Sequence, residues 1–234
     1  MRICVISDIH SNVFALEAAL KEIDALRPDK IVCLGDIVGN GAYPEETVSV
    51  FRRRGDIKAV KGNHDAIVLL DLSVWNNGDP RIDVFRWQSE VLSPSSKNYL
   101  ARLPKAIRFE ASGKEVVCFH YPIAKGGRFY PPEYLPTDEQ IKAMFMREKG
   151  DIFLFGHEHT GSFHEIDGKY YLNFGSTGNL VEKNAARYGV VDILPDGKVS
   201  YELKKAYYDD NEFREKTNKM TEALKNRNRK ITVV

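Results

Sequence analysis

The chain has little cysteine: three residues among 234, Cys4, Cys33 and Cys118. No two stand in a Cys-x-x-Cys spacing, and each lies inside an apolar run. A disulfide framework is thereby excluded, and buried reduced thiols are expected. Long hydrophobic runs are missing too, and the longest is far too short to cross a bilayer. An excess of either charge is also absent. The net charge of +1 argues against general nucleic-acid binding, and there is no acidic tail. The N-terminus, MRICVIS, reaches Asp8 before a signal-peptide h-region can form. No membrane association and a cytoplasmic location are expected. There is no internal repeat and no low-complexity segment. Histidine is scarce as well, with six in all, so its placement carries information.

What is present is ordinary globular composition, 43% apolar and 29% charged. The length suits one domain with a real core. One organising feature recurs: a short β-branched or aromatic run passes at once into polar residues. RICVIS meets DIH, KIVCLG meets Asp36, and IKAVKG meets NHD. EVVCF meets His120, DIFLFG meets HEH, and YYLNF meets GSTGN. Such runs suit strands buried on both faces. Helical patterns lie between the early runs. Asn12 to Ile23 carries an apolar stripe with Ser11 or Asn12 as N-cap. Pro44 opens a second helix that stops before Gly55. Thr137 and Gln140 stand at capping-box spacing for a third, with Gly150 at its C-cap. Alternating strand and helix predicts an α/β fold with parallel strands.

The middle is less regular. Helices are expected over 81–91 and 99–103, and residues 121–136 read as a Gly-, Pro- and Tyr-rich loop or lid beside the site. Two apolar runs around Pro195-Asp196-Gly197 predict a hairpin. We expect a domain over residues 1–205. Residues 206–234 would form a helical, basic tail rather than a separate domain, solvated and partly frayed in the favoured reading and a docking element in the other.

In open α/β sheets, ligands bind beyond the carboxyl ends of the strands. Asp8, His10, Asp36, Asn63, His64, Asp65, His120, His157 and His159 all fall at such ends. Each alone has an ordinary explanation as a turn, a cap or a packed side chain. Together they gather five of the six histidines and three acids. Carboxylates, imidazoles and an amide without thiolate suit Mn, Fe, Ni or Zn. The donors outnumber those of one tetrahedral zinc and are about right for two metals sharing a carboxylate.

The ordered set Asp8-Ile9-His10, Gly35-Asp36-Ile37-Val38-Gly39, Gly62-Asn63-His64-Asp65, His120 and Gly156-His157-Glu158-His159 resembles the calcineurin-like metallophosphoesterases. "SDIHSNVFALEAAL", "CLGDIVGNG", "NFGSTGN" and "ARYGVVDI" look like their small prokaryotic phosphodiesterase branch. The resemblance covers residues 1 to about 195. It implies an αββα sandwich, two packed mixed β-sheets flanked by helices, with a dinuclear site at the C-terminal strand ends. It implies Asp8, His10 and His159 on one metal, Asn63, His120 and His157 on the other, and Asp36 bridging both. Manganese is the expected ion, with Fe, Ni or Zn as alternatives. His64 would lie over the substrate phosphate as a catalytic residue.

The activity implied is hydrolysis of a small phosphoester by a hydroxide bridging the two ions, with His64 assisting the leaving group. Acid should suppress it, because ligand histidines must be neutral. Asp65 is expected either to orient His64 and its loop or to cap a turn. Arg187, Lys125, Arg128 and Tyr130 are candidates for gripping substrate, against ordinary surface or loop roles. Gly39 and Asn40 stand where phosphoprotein phosphatases carry an acid and an arginine, which weighs against that activity. Ser11 and Tyr121 replace frequent glycines; Tyr121 is expected to narrow the site on the His120 side. The alternatives are a catalytically weak interaction scaffold on the same fold, a phosphoprotein phosphatase, or a zinc hydrolase of the metallo-β-lactamase type. The last wants an early H-x-H-x-D-H, which this chain lacks. Monoester or diester preference and a homo-oligomeric state are left open.

Overall fold

The computed structural model describes residues 1–74, 79–123, 134–179 and 181–231, with side chains as far as 226. The expected lid therefore lies largely outside the described residues, and Lys125, Arg128 and Tyr130 lie wholly outside them.

The apolar runs become strands whose alternation serves two cores at once. In β1 (Arg2–Ile6), Ile3 and Val5 face one cluster while Cys4 and Ile6 face another. β1 pairs in parallel with β2 (Lys30–Cys33), which pairs in parallel with β3 (Ile57–Ala59). A second sheet holds β4 (Ala106–Ala111), β5 (Lys114–Phe119), β6 (Ile152–Leu154), β7 (Ser162–Ile166) and β8 (Lys169–Asn173). Its order is β4-β5-β6-β8-β7, with β5, β6 and β8 parallel and the two edges antiparallel. β9 (Ala185–Ile193) and β10 (Val199–Tyr207) form the expected hairpin, which returns antiparallel to β1 and completes the order β10-β9-β1-β2-β3. Both sheets are therefore mixed, as the resemblance implies, with parallel centres and antiparallel edges. A period-2 pattern does not encode strand direction, and the β9–β10 edge was legible from its turn instead.

The layers follow from the faces. Ile3, Val5, Val32, Val116, Cys118, Leu154 and Val191 pack between the sheets. The outer face of the first sheet packs on α1 (Val13–Ala25) and α2 (Pro44–Arg53). The outer face of the second packs Phe119, Phe153 and Tyr171 on α6 (Asp138–Phe145). This is the αββα sandwich. All three cysteines are buried and free.

Local signals mostly held. Asn12 caps α1 by accepting from the Ala15 amide at 3.1 Å, and Thr137 and Gln140 form a capping box on α6. Three expectations are corrected. α6 ends at Phe145, so Gly150 is not its cap. Gly150 instead has φ +148°, and a Cβ there would lie 2.6 Å from Val117 Cγ2. The short helix expected at 99–103 is the end of α5 (Pro94–Arg102), which Ser93 caps and Pro94 opens. It follows α4 (Pro80–Val91) closely.

The third correction concerns the tail. β10 runs through the 205/206 division, and α7 (Asn211–Ile231) is not merely solvated. Its Phe213, Met220 and Leu224 are buried in the core that serves α1 and α2. Each such side chain contributes about 1.5–3 kcal/mol. The stripe is sparse, three residues over twelve positions, and its polar background masked it. α7 also reaches the functional loops. A Cβ on Gly41 would stand 2.6 Å from Phe213 and 2.5 Å from the His10 carbonyl.

Candidate metal centre

The six parallel strands all deliver their C-terminal ends to one side. There the pleat stops, and side chains leave their alternating faces. Asp8, His10, Asp36 and His157 have φ of 52°, 51°, 51° and 72°, a left-handed conformation that non-glycine residues seldom take. Four expected metal ligands therefore sit on strained backbone. Their surroundings hold them there. The Asp8 amide donates to the Gly35 carbonyl at 3.0 Å, and the His10 amide to the Asp36 carbonyl at 3.0 Å.

All eight expected site residues come together. Ligand atoms of Asp8, His10 and His159 lie within 4.8 Å of one another. So do those of His10, Asp36 and His64, and those of Asp36, His120 and His157. Asn63 joins the third group, its Oδ1 2.9 Å from His120 Nε2. His157 Nδ1 is 3.1 Å from the same nitrogen. His10 Nε2 and His159 Nε2 are 3.0 Å apart. Asp36 thus belongs to two donor groups, and Asp36 Oδ2 lies 3.4 Å from His120 Nε2 and 3.8 Å from His64 Nε2.

The donor set fits divalent cations on two observations. Asp8 Oδ1 is buried and makes no hydrogen bond, yet lies 3.5 Å from His159 Nε2 and 3.9 Å from His10 Nε2. An orphaned buried carboxylate oxygen is costly unless a cation or donor meets it. Next, the His120 Nδ1 lies 2.8 Å from the Leu34 carbonyl. A carbonyl only accepts, so Nδ1 carries a proton and donates it there, which leaves Nε2 facing the group.

The electrostatics are tightly linked. Burial alone would raise both carboxyls, but nearby imidazoles outweigh it. Contact with His159 and the charge of His120 hold Asp8 below its usual range, and the charges of His120 and His64 hold Asp36 far below. His120 is pushed up to about 9: burial pulls it down, and Asp36 more than reverses this. His159 rises as well, because Asp8 outweighs burial. Burial, reinforced by His64, lowers His10 to about 3, and burial with His120 lowers His157 to about 4.

His64 sits at the start of α3 (Asn63–Ile67), edge-on to Phe85 of α4 and to His10. Gly39, φ +100°, lies against it; a Cβ there would meet His64 Nδ1 at 2.0 Å. Asp65 is fully buried and staples two ligand loops. It accepts from the amides of Gly62 at 2.9 Å, Ile37 at 2.9 Å and Val38 at 3.2 Å. Burial and the charge of Asp36 raise its carboxyl to about 7.

Several supporting residues escaped the sequence reading. Glu158, between the two histidines of GHEHT, is buried and turned back on its own loop. It accepts from the Thr160 amide at 2.9 Å, the Thr160 hydroxyl and the Gly161 amide at 3.0 Å. Ser7 Oγ donates to Asp8 Oδ2 at 2.5 Å, and the Asn179 amide lies 2.6 Å from His159 Nδ1. Asn179 stands in "NFGSTGN", the one signal that could have found it. Gln88, fully buried on α4, donates to Gly41 O at 2.7 Å and Ser11 Oγ at 3.1 Å, and accepts from Gly39 N at 2.8 Å. Nothing in its helix pattern marks Gln88. Of the grip candidates, Arg187 is engaged: it donates to the Thr160 carbonyl at 3.0 Å and faces Glu182 at 3.8 Å. Tyr121 is buried, its ring 4.7 Å from that of His157 and 6.2 Å from that of Phe155, so it backs a ligand.

The family model of the calcineurin-like phosphoesterase superfamily domain matches residues 1–196. "Uncharacterized protein MJ0912" of Methanocaldococcus jannaschii is 33% identical over 233 residues, 88% of this chain and 90% of that protein. Among solved structures, the metallophosphoesterase from Sphaerobacter thermophilus superposes with a TM-score of 0.71 at 25% identity, covering 96% of each chain. The hypothetical protein PH1004 from Pyrococcus horikoshii OT3 gives a TM-score of 0.78 at 18% identity, covering 93% of this chain and 92% of its own. Among the described residues, no helix is long and apolar enough to cross a membrane.

Proposed function

This chain belongs to the calcineurin-like phosphoesterase superfamily, and from that premise we propose that it is a dinuclear metal-dependent hydrolase of a small phosphodiester. The observation that carries the reading is Asp36, a buried carboxylate grouped with His10 and His64 on one side and with His120 and His157 on the other, while His10 also belongs to the group of Asp8 and His159. In this reading Asp8, His10 and His159 would hold one ion and Asn63, His120 and His157 the other, with Asp36 shared between them. Manganese is the ion we favour, and the donor set also suits Fe, Ni or Zn. Two such ions supply Lewis acidity and a water of lowered pKa, the chemistry that phosphoester hydrolysis requires.

The chain's own residues do the rest. Leu34 fixes the His120 proton on Nδ1, which keeps Nε2 available. The Asn179 side-chain nitrogen, 2.6 Å from His159 Nδ1, holds that ring in its orientation. His64 holds a proton at Nε2 beside Asp36 and delivers it to the departing oxygen. Asp65 and Gln88 keep the loops of Asp36, His64 and His10 in register.

Diester preference follows from what faces His64. Phosphoprotein phosphatases place an acid and an arginine here, whereas this chain has Gly39 and Asn40, and Gly39 has no room for a side chain. A terminal dianionic phosphate would lack that clamp. The test is removal of metal with EDTA, followed by restoration with Mn²⁺, on bis-p-nitrophenyl phosphate. Loss and recovery of turnover support the proposal. Undiminished hydrolysis by the chelated protein ends it.

A further inference from the structure

A cavity of about 290 Å³ lies beside the metal centre, lined by Gly62, which precedes Asn63, and by Tyr121, which follows His120. The remaining apolar wall is Ala66, Ala106, Phe119 and Ile123. Three charged residues border it. Lys61 Nζ donates to the Ala101 carbonyl at 2.7 Å, and the Glu148 carboxylate accepts from Arg108 at 3.1 Å. Lys105 is exposed, and among the described residues it forms no ion pair. The cavity therefore offers an apolar, partly aromatic wall and two ammonium groups without an ion pair among the described residues, of which Lys61 is tied to a carbonyl.

That combination selects a ligand class. The volume is at the bottom of the range of about 300–1,000 Å³ typical of small-molecule sites, which suits one ring system rather than a peptide. A bare phosphate would gain nothing from the apolar wall. A flat aromatic group gains from both features, through burial and through the attraction of an ammonium to a ring face. Position links the cavity to the chemistry. A Cβ on Gly62 would stand 2.1 Å from Asp36 Oδ1, and the Tyr121 ring centroid is 4.7 Å from that of His157.

We propose that this cavity receives the retained organic group of the phosphodiester, and that this group carries a nucleobase-sized aromatic ring with Lys105 over its face. The proposal rests on the reading of the centre as a phosphoesterase. Two esters with the same leaving group test it: p-nitrophenyl thymidine 5′-phosphate and methyl p-nitrophenyl phosphate. In both, water adds to phosphorus as the bond to the p-nitrophenol oxygen breaks, so only the retained group differs. The Mn²⁺-loaded protein should prefer the thymidine ester by about tenfold or more in kcat/KM. Ala66→Trp, at an exposed position of the cavity wall, should cut that ratio at least fivefold, and Lys105→Ala should cut it about twofold to fivefold. Calorimetry with thymidine 5′-phosphate gives a readout without turnover: Ala66→Trp should raise Kd at least about fivefold. Equal kcat/KM for the two esters overturns the proposal, as does a ratio and Kd unmoved by both variants. A protein that hydrolyses neither ester refutes the phosphoesterase reading, and the Kd comparison then decides the cavity by itself.

Discussion

The two sheets contribute unequally to the centre. The β1–β2–β3 side supplies both carboxylates, Asp8 and Asp36, together with His10, Asn63 and His64. The β5–β6–β8 side supplies imidazoles alone: His120, His157 and His159. Strain is divided in the same way, with three left-handed ligands on the acidic side and one on the other. Yet neither half is held only by its own sheet. The His157 amide, from the second sheet, donates to Asp8 Oδ2 at 3.0 Å. The Leu34 carbonyl, from the first, fixes His120. The Thr177 amide donates to the Ser7 carbonyl at 2.8 Å. Acids need N–H and O–H donors and imidazoles need acceptors, and each sheet provides the groups the other lacks. The centre is thus a property of the packed sandwich.

Breaking the shared element should have the largest effect. Asp36→Ala should lower kcat/KM by on the order of 10³-fold or more. It should also reduce bound metal by elemental analysis. Normal loading would show that Asp36 is not shared. His64→Gln is next, with about 10²-fold expected in kcat and metal content retained. An unchanged rate would remove His64 from the chemistry.

The supports should matter less. Asn179→Ala frees His159 on the imidazole side and should weaken metal affinity about tenfold. Ser7→Ala removes a donor to Asp8 on the acidic side, so the two titrated side by side compare the halves directly. If only the Ser7 variant loses affinity, the carboxylates alone hold the ions. Leu224→Ala, far from the ligands on α7, should cost about 2 kcal/mol in denaturant unfolding while metal stoichiometry stays as it was. No loss of stability would mean that α7 is as detached as its polar sequence suggests.

Much of this was legible. The convergence of the eight expected residues could be read because each follows a strand, and strand ends in such sheets converge. Helix starts were legible through Asn12, Pro44 and Thr137, where the cap is a side chain in the sequence. Helix ends were not, as Gly150 shows: a glycine can serve a close approach to Val117 as readily as a cap. Alternation is the same in both strand directions, so direction was legible only where a turn signal such as Pro195-Asp196-Gly197 accompanied it. Gln88 acts through hydrogen bonds to Gly39, Gly41 and Ser11, all distant in sequence, and Glu158 through bonds within its own loop. Asp65 does both things expected of it: it accepts from the Gly62 amide at the start of α3 and orients the Asp36 loop through the Ile37 and Val38 amides. α7 was hidden by the sparseness of its apolar stripe.

The central claim is that one buried carboxylate organises two cations. Crystals loaded with Mn²⁺ and measured at the manganese absorption edge test it most directly. The account predicts two anomalous peaks about 3.5–4 Å apart, one on each side of Asp36. A single peak, or peaks remote from Asp36, would contradict it.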